Sequence, residues 1–439
     1  MRAALKALRL PGDTRIEGVL QMKTLVIIVC LALSLASQFG LEAEKSEFAR
    51  AWSISDPLVV ILAAFCVIQV AASKWRLDST AWFQFGTIIC LLLSGIVNQN
   101  LSNGTLLNFI RTASGGLAVY VAMMNSVDSG RLIRRFGFLC FVSAVVLWGF
   151  GAAPIIEKFS SDFRSDQALF GTTEINTFGF MFVLMFGASA PFWVLDNRFF
   201  AGTIISGVMV AGAASSLSRS AVSTLAISLV AILATGGSSR RKGTPITPLL
   251  ILCTVAAVLY GRFVTLGSES AAAELVQRKV NEYGDDAVNL RLSELTITPI
   301  MEWAKEPFMV LLVGDGMTFQ HTFLANAVWM SGLLGLICGI GTYVSLIVDA
   351  VRNFRFNRGS RVHRIVSMCF GVLVLAMILD DSVTNHRFHN QMICYFFFAA
   401  AGAFSGFLRS QRSKLPEVIY RNVTTGHMAG EIRSAIMPG

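Results

Sequence analysis

FLANAVWMSGLLGLICGIGTYVSLIVDAVRNFRFNRGSRVHR, residues 323–364, is read in two halves. From Phe323 to Val348 there is no Asp, Glu, Lys or Arg. Five arginines then follow in close order: Arg352, Arg355, Arg358, Arg361 and Arg364. A helix rises 1.5 Å per residue, so roughly 20 apolar residues cross a ~30 Å hydrocarbon core, and the first half is long enough. Lipid offers backbone groups no hydrogen-bond partner, so such a run must be helical. The residue-by-residue alternation of a barrel strand is absent. The arginine cluster then acts as a topology signal, because Lys and Arg concentrate on the cytoplasmic side of a span.

The same alternation repeats along the chain. Spans are expected near residues 24–40, 56–73, 82–98, 106–124, 136–153, 176–195, 199–216, 221–236, 247–264, 323–349, 365–380 and 391–408. With the N-terminus inside, the even-numbered connections are cytoplasmic. They carry Lys74 and Arg76; Arg131, Arg134 and Arg135; Arg198; Arg240, Arg241 and Lys242; and the five arginines above. A cytoplasmic tail, 409–439, adds Arg409, Arg412 and Lys414. The other short connections are far poorer in Lys and Arg. The fold class expected is therefore all-α: one integral membrane domain over 1–439, a bundle of about twelve spans with both termini inside. The run from Thr24 to Phe39 lacks a convincing cleavage site and reads as an uncleaved first span.

Composition supports this reading. Of 439 residues, 54% are hydrophobic and 14% charged, with a mean hydropathy of +0.62. Soluble chains carry about 25% charge. The net charge of +9 is dispersed among short loops, which fits topology and argues against nucleic acid as a partner. All eight cysteines fall in apolar runs, so neither a disulfide framework nor a zinc site is expected.

One segment breaks the short-loop pattern. Residues 267–320 form a large polar insertion on the outer side. Amphipathic helices are expected at Glu269–Tyr283 and at Leu290–Lys305, the second interrupted at Pro299. Structureless loops of this length are usually functional. Arg219, in Ser218-Arg219-Ser220-Ala221, lies between the seventh and eighth spans at the outer boundary, where an arginine is costly and tends to be used. Arg291 lies in the long loop. Pro307, Gly314-Asp315-Gly316 and His321 follow, then Gly332 and Gly335.

This stretch resembles the signature of the O-antigen polymerase and ligase superfamily. Members have an outer-loop Arg, a proline and glycine turn, then a His followed at fixed distance by GxxG. Here the pattern reads His321, Thr322, nine residues, then Gly332-Leu333-Leu334-Gly335. Thr322 departs from the Asn, Ser or Gln of the ligase form. Ser218-Arg219-Ser220-Ala221 resembles the family's SRGA-like segment. The resemblance covers roughly residues 200–400 by motif and the N-terminal half by topology only.

The resemblance implies a multi-pass protein of the bacterial inner membrane. Its donor would be an undecaprenyl-diphosphate-linked oligosaccharide presented from the lipid bilayer, its acceptor a sugar hydroxyl of a polysaccharide, and its company other polysaccharide-assembly proteins. No cofactor is implied. The leaving diphosphate gathers negative charge, which the bidentate forks of Arg219 and Arg291 would neutralise. His321 would take the acceptor proton. Arg111, Asp315, Asp381 and His386 are further candidate contacts for diphosphate or sugar. Asp380, Asp381, His386 and His389 could instead hold a divalent cation; Arg387 among them argues against it, and no metal is expected. The function the resemblance implies first is polymerisation of the lipid-linked repeat units into exopolysaccharide or O-antigen at the outer face of the membrane; two other functions compete. A ligase would move finished glycan onto lipid A core, and a polysaccharide transporter or flippase would need ionisable groups near the midplane and broken helices.

Overall fold

A computed structural model describes residues 11–37, 55–160, 175–195, 293–320, 322–356, 361–383 and 390–424, with scattered positions between 202 and 228. Within this set every regular element is a helix. The first six are α1 Pro11–Ala36, α2 Asp56–Ala71, α3 Ser79–Val97, α4 Gly104–Ser126, α5 Gly130–Ser160 and α6 Ile175–Leu195. A π-helical turn, Ser293–Ile297, leads into α7 Thr298–Trp303, and α8 follows at Phe308–Val313. The last three are α9 Phe323–Phe356, α10 Arg361–Val383 and α11 Gln391–Thr424. Seven described helices are long and apolar enough to cross a membrane, and two shorter apolar helices, at Asp56–Ala71 and Phe178–Val194, accompany them. The chain is a multi-pass helical membrane protein.

α11 is the central post. Its residues 391–408 are buried almost without remainder. It can sit there because Gly402 and Gly406 form a small-xxx-small stripe against α4. A Cβ on Gly402 would stand 2.5 Å from the Tyr120 carbonyl oxygen, and one on Gly406 2.2 Å from that of Met124. Nothing larger than hydrogen fits between these backbones. Phenylalanines fill the rest of the core: Phe136 and Phe370 both meet Phe404, and Phe178 stacks edge-on to Phe182. The surface, unlike that of a soluble protein, is apolar as well. Large apolar side chains such as Val60, Val67, Ile96, Ile337 and Val348 are exposed on α2, α3 and α9, as a lipid-facing surface requires.

One end of the bundle is locked by charge. Arg409 Nη2 on α11 lies 2.5 Å from Asp78 Oδ2, at the start of α3, and 2.5 Å from Asp349 Oδ2 on α9. The Tyr120 hydroxyl donates to the same Asp78 oxygen at 2.6 Å, and Ser405 donates to Asp349 at 3.2 Å. Asp78 also caps α3 through the Ala81 N–H at 2.8 Å. Lys23 on α1 pairs with Asp128, and Ser410 donates to the Asp128 carbonyl at 2.5 Å.

The first six expected spans and the last three coincide with described helices; the runs at 199–216, 221–236 and 247–264 fall mostly outside the described residues. Helix ends extend past the apolar runs. α5 begins at Gly130, ahead of Arg131, and α11 continues through Arg409 and Arg412 to Thr424, into the stretch read as a tail. In the long loop, Glu269–Tyr283 and the rest of 267–292 lie outside the described residues. Pro299 does not interrupt a helix: it sits in the first turn of α7, where its missing N–H costs nothing, directly after the π-helical turn. α8 was not anticipated.

Candidate functional site

The loop from Ser293 to Thr322 is built onto the bundle end opposite Arg409. Its organising feature is a break in α9. Gly332 has φ +64 and ψ −166, a conformation open essentially to glycine alone. A Cβ there would stand 2.3 Å from the Leu312 carbonyl oxygen. The end of α8 therefore lies directly in the break. The Trp329 carbonyl, just ahead of the break, accepts the Asp315 N–H at 2.8 Å and the Gly316 N–H at 3.4 Å. Gly314, at φ +78, turns the chain there, and its backbone runs against Trp329–Ser331.

α3 holds the turn from the other side. Asn98 Nδ2 donates to the Gly314 carbonyl at 2.8 Å, and Asn100 Nδ2 to the Asp315 carbonyl at 3.0 Å. Phe319 packs against Phe109 of α4 with ring centroids 6.3 Å apart. Two tryptophans tie the short helices down. Trp329 Nε1 donates to the Pro299 carbonyl at 3.0 Å, and Trp303 Nε1 to that of Val310 at 3.3 Å.

Arg219, Arg291, His321 and His386 lie outside the described residues, as do Arg387 and His389. The immediate neighbours of His321 are described and firmly placed. The Gln320 N–H donates to Asn326 Oδ1 at 2.9 Å. The buried Thr322 hydroxyl donates to the Leu295 carbonyl and accepts from the Thr296 hydroxyl, each at 3.1 Å. Asn326 is itself buried, and its Nδ2 has no hydrogen-bond partner among the described residues.

The three described candidates are each engaged. Arg111 Nη1 pairs with Asp56 Oδ2 at 2.9 Å, and its Nη2 donates to Asn108 Oδ1 at 2.7 Å. Asp56 is buried, so the pair is a matched charge at the head of α2 and α4. The Asp315 carboxylate accepts the N–H groups of Met317 and Thr318 at 2.9 and 3.0 Å and the Thr318 hydroxyl. Asp381 is buried and accepts from the Tyr343 hydroxyl; the Tyr343 ring stands edge-on to Phe323, 5.6 Å away. Asp381 thus connects through one aromatic contact to the residue after Thr322. Among the described residues no group of three or more His, Cys, Asp or Glu is placed to hold a metal ion.

Sequence reasoning missed Asp56, Asn98, Asn100 and Asn326. Their signal was present only as isolated polar residues at span ends. Asn326 alone had a stronger cue, being an amide near the start of an otherwise apolar run.

No protein-family model matches the chain. No curated protein matches it either.

Proposed function

We propose that the chain is a membrane glycosyltransferase that polymerises undecaprenyl-diphosphate-linked oligosaccharide repeats into exopolysaccharide or O-antigen. It works at the outer face of the bacterial inner membrane. Twelve spans place both termini in the cytoplasm, the loop 267–320 outside and the tail inside. The alternation of basic connections supports this orientation.

The observation that carries the reading is the anchoring around position 321. Gln320 and Thr322 are each hydrogen-bonded, and Thr322 is bound to Leu295 and Thr296, four and five residues after Arg291. The segment that follows Arg291 and the residue that follows His321 thus meet at one end of the bundle, which supports the reading. In the reaction the acceptor hydroxyl oxygen bonds to the donor's anomeric carbon. The bond from that carbon to the diphosphate oxygen breaks, and its electron pair leaves with undecaprenyl diphosphate. His321 takes the hydroxyl proton, while Arg219 and Arg291 neutralise the departing charge.

A transporter reading draws on the helix break at Gly332. Transporters use such breaks to expose backbone to cargo. Here the gap is filled by the α8 backbone and the neighbouring Trp329 carbonyl is bonded to the Asp315 N–H, which favours a rigid scaffold for interfacial chemistry.

The test is purified protein in liposomes supplied with lipid-linked oligosaccharide. A ladder of lengthening products is expected. A single shift of lipid A core would identify a ligase, and transbilayer movement of the substrate without new glycosidic bonds a transporter. Activity is expected to survive EDTA; loss on chelation with recovery on adding one divalent ion would move the chemistry to Asp380, Asp381, His386 and His389. Labelling of position 282 from the cytoplasmic side alone would overturn the orientation.

A further inference from the structure

The bundle holds a second feature, at the Arg409 end and away from the loop built on α8. A cleft of about 460 Å³ opens between α2, α3 and α4, with Ala63, Val70, Trp82, Ile88, Ser114 and Val121 among its walls. Its lining is apolar apart from Ser114. It runs from Leu77, at the start of α3, to Ile88, eleven residues on, which is roughly 16 Å of helix. That is about half of a ~30 Å hydrocarbon core, the depth of a single leaflet. Trp82 is 59% exposed at its rim.

The connection between α2 and α3 joins two residues of the lining, Ala71 and Leu77, and it is cationic. Lys74 and Arg76 are both exposed there, and no described carboxylate pairs with either side chain. The connection is held in shape. Asn125 at the end of α4 accepts the Arg76 N–H at 3.0 Å and donates to the Arg76 carbonyl at 3.1 Å. Trp75 packs edge-on to Phe65 with centroids 5.2 Å apart.

We infer that this cleft is a binding site for an anionic glycerophospholipid, with one acyl chain between α2, α3 and α4 and the phosphate at Lys74 and Arg76. The argument is charge complementarity over a slot one leaflet deep. An uncharged lipid would leave both cations without a counter-charge. A polyprenyl chain long enough to span the bilayer would outrun the slot. The inference is independent of the glycosyltransferase reading.

The test is native mass spectrometry of the purified full chain with phosphatidylglycerol or phosphatidylcholine as probe. Phosphatidylglycerol should be retained at one copy per chain, in preference by roughly tenfold. Lys74→Gln with Arg76→Gln should abolish the preference, while Arg131→Gln, which removes an exposed cation of the adjoining α5 terminus, should not. Ala63→Trp should lower retention of both lipids. An effect of Arg131→Gln equal to that of the double variant would overturn the site in favour of general surface attraction. So that a folding defect cannot mimic the result, phosphatidylglycerol with a photoreactive tail is also applied to the unaltered protein. Labels should map to residues 63–88 and 114–121; labels confined elsewhere would overturn the proposal.

Discussion

The backbone N–H of Asp315 donates to the carbonyl of Trp329 at 2.8 Å, which ties the glycine turn to α9 just ahead of the helix break at Gly332. The Gly-Asp-Gly turn and the first glycine of the GxxG pattern are thus two halves of one packing unit. Gly332→Ala should be strongly destabilising. The conformation alone costs on the order of 1–3 kcal/mol, and the new Cβ meets the α8 backbone, which cannot move aside. Gly371→Ala is the contrast. Nothing lies within 4 Å of its Cβ position inside α10, so this change should be neutral or stabilising by about 0.5–1 kcal/mol. Thermal unfolding followed by size-exclusion fluorescence in detergent checks both. Equal melting temperatures for the two variants would show that the break is not a fixed feature.

How much of this was legible beforehand depends on the interaction concerned. Long apolar runs are read reliably because desolvating a charge in lipid is costly at any position, so the spans at 82–98 and 391–408 stand out residue by residue. Helix ends are not read so well. Arg409 and Arg412 look like the start of a tail, yet Arg409 is neutralised by Asp78 and Asp349 from distant helices. No local pattern reports that pairing. Arg111 was visible as an unusual cation; its partner Asp56 became one only through tertiary contact. Gly332 was legible as part of a motif, but its positive φ is set by the neighbouring α8 backbone. Of the catalytic candidates, Arg219, Arg291 and His321 lie outside the described residues, so the sequence pattern alone carries them.

The Arg409 cluster makes a second prediction. Arg409→Ala leaves the Asp78 and Asp349 carboxylates facing each other without their shared cation. Breaking a buried ion pair by removing one partner typically costs about 3–5 kcal/mol. The variant should lose much of its thermal stability. Arg409→Lys keeps a charge but not the planar fork, so it should fall between. A melting temperature for Arg409→Ala within a degree of the unaltered protein would mean that the cluster does not hold α3, α9 and α11 together.

A third prediction separates structure from chemistry at Arg111. Removing Arg111 alone, as Arg111→Gln, strands the buried Asp56 charge and should cost about 3 kcal/mol. Adding Asp56→Asn removes the stranded charge and should restore most of that stability. Activity then decides the role. If Arg111 only balances Asp56, the stable double variant keeps whatever activity the proposed liposome assay detects in the unaltered protein. If Arg111 also holds the donor diphosphate, turnover stays low even though the fold has recovered.

The last prediction concerns Arg219, Arg291 and His321. Arg219→Lys and Arg291→Lys retain positive charge but lose the bidentate fork, so both should impair transfer strongly if the diphosphate is gripped geometrically. A long-range field would tolerate both. His321→Ala should leave donor binding largely intact and lower turnover by about 10²- to 10⁴-fold, because a general base acts on the acceptor hydroxyl. Its neighbours make this a clean experiment: Gln320 is held by Asn326 and Thr322 by Leu295, so the backbone on either side has its own anchors. Thr322→Val supplies the complementary case. It keeps the volume, removes the hydroxyl bonded to Leu295 and Thr296, and should lower turnover if those contacts bring the segment after Arg291 to the histidine. Should a well-folded His321→Ala keep near-normal turnover, the base lies elsewhere. Asp315 would then be a weak substitute, since its carboxylate already accepts two N–H groups and a hydroxyl from its own loop, and His386 would become the residue to change next.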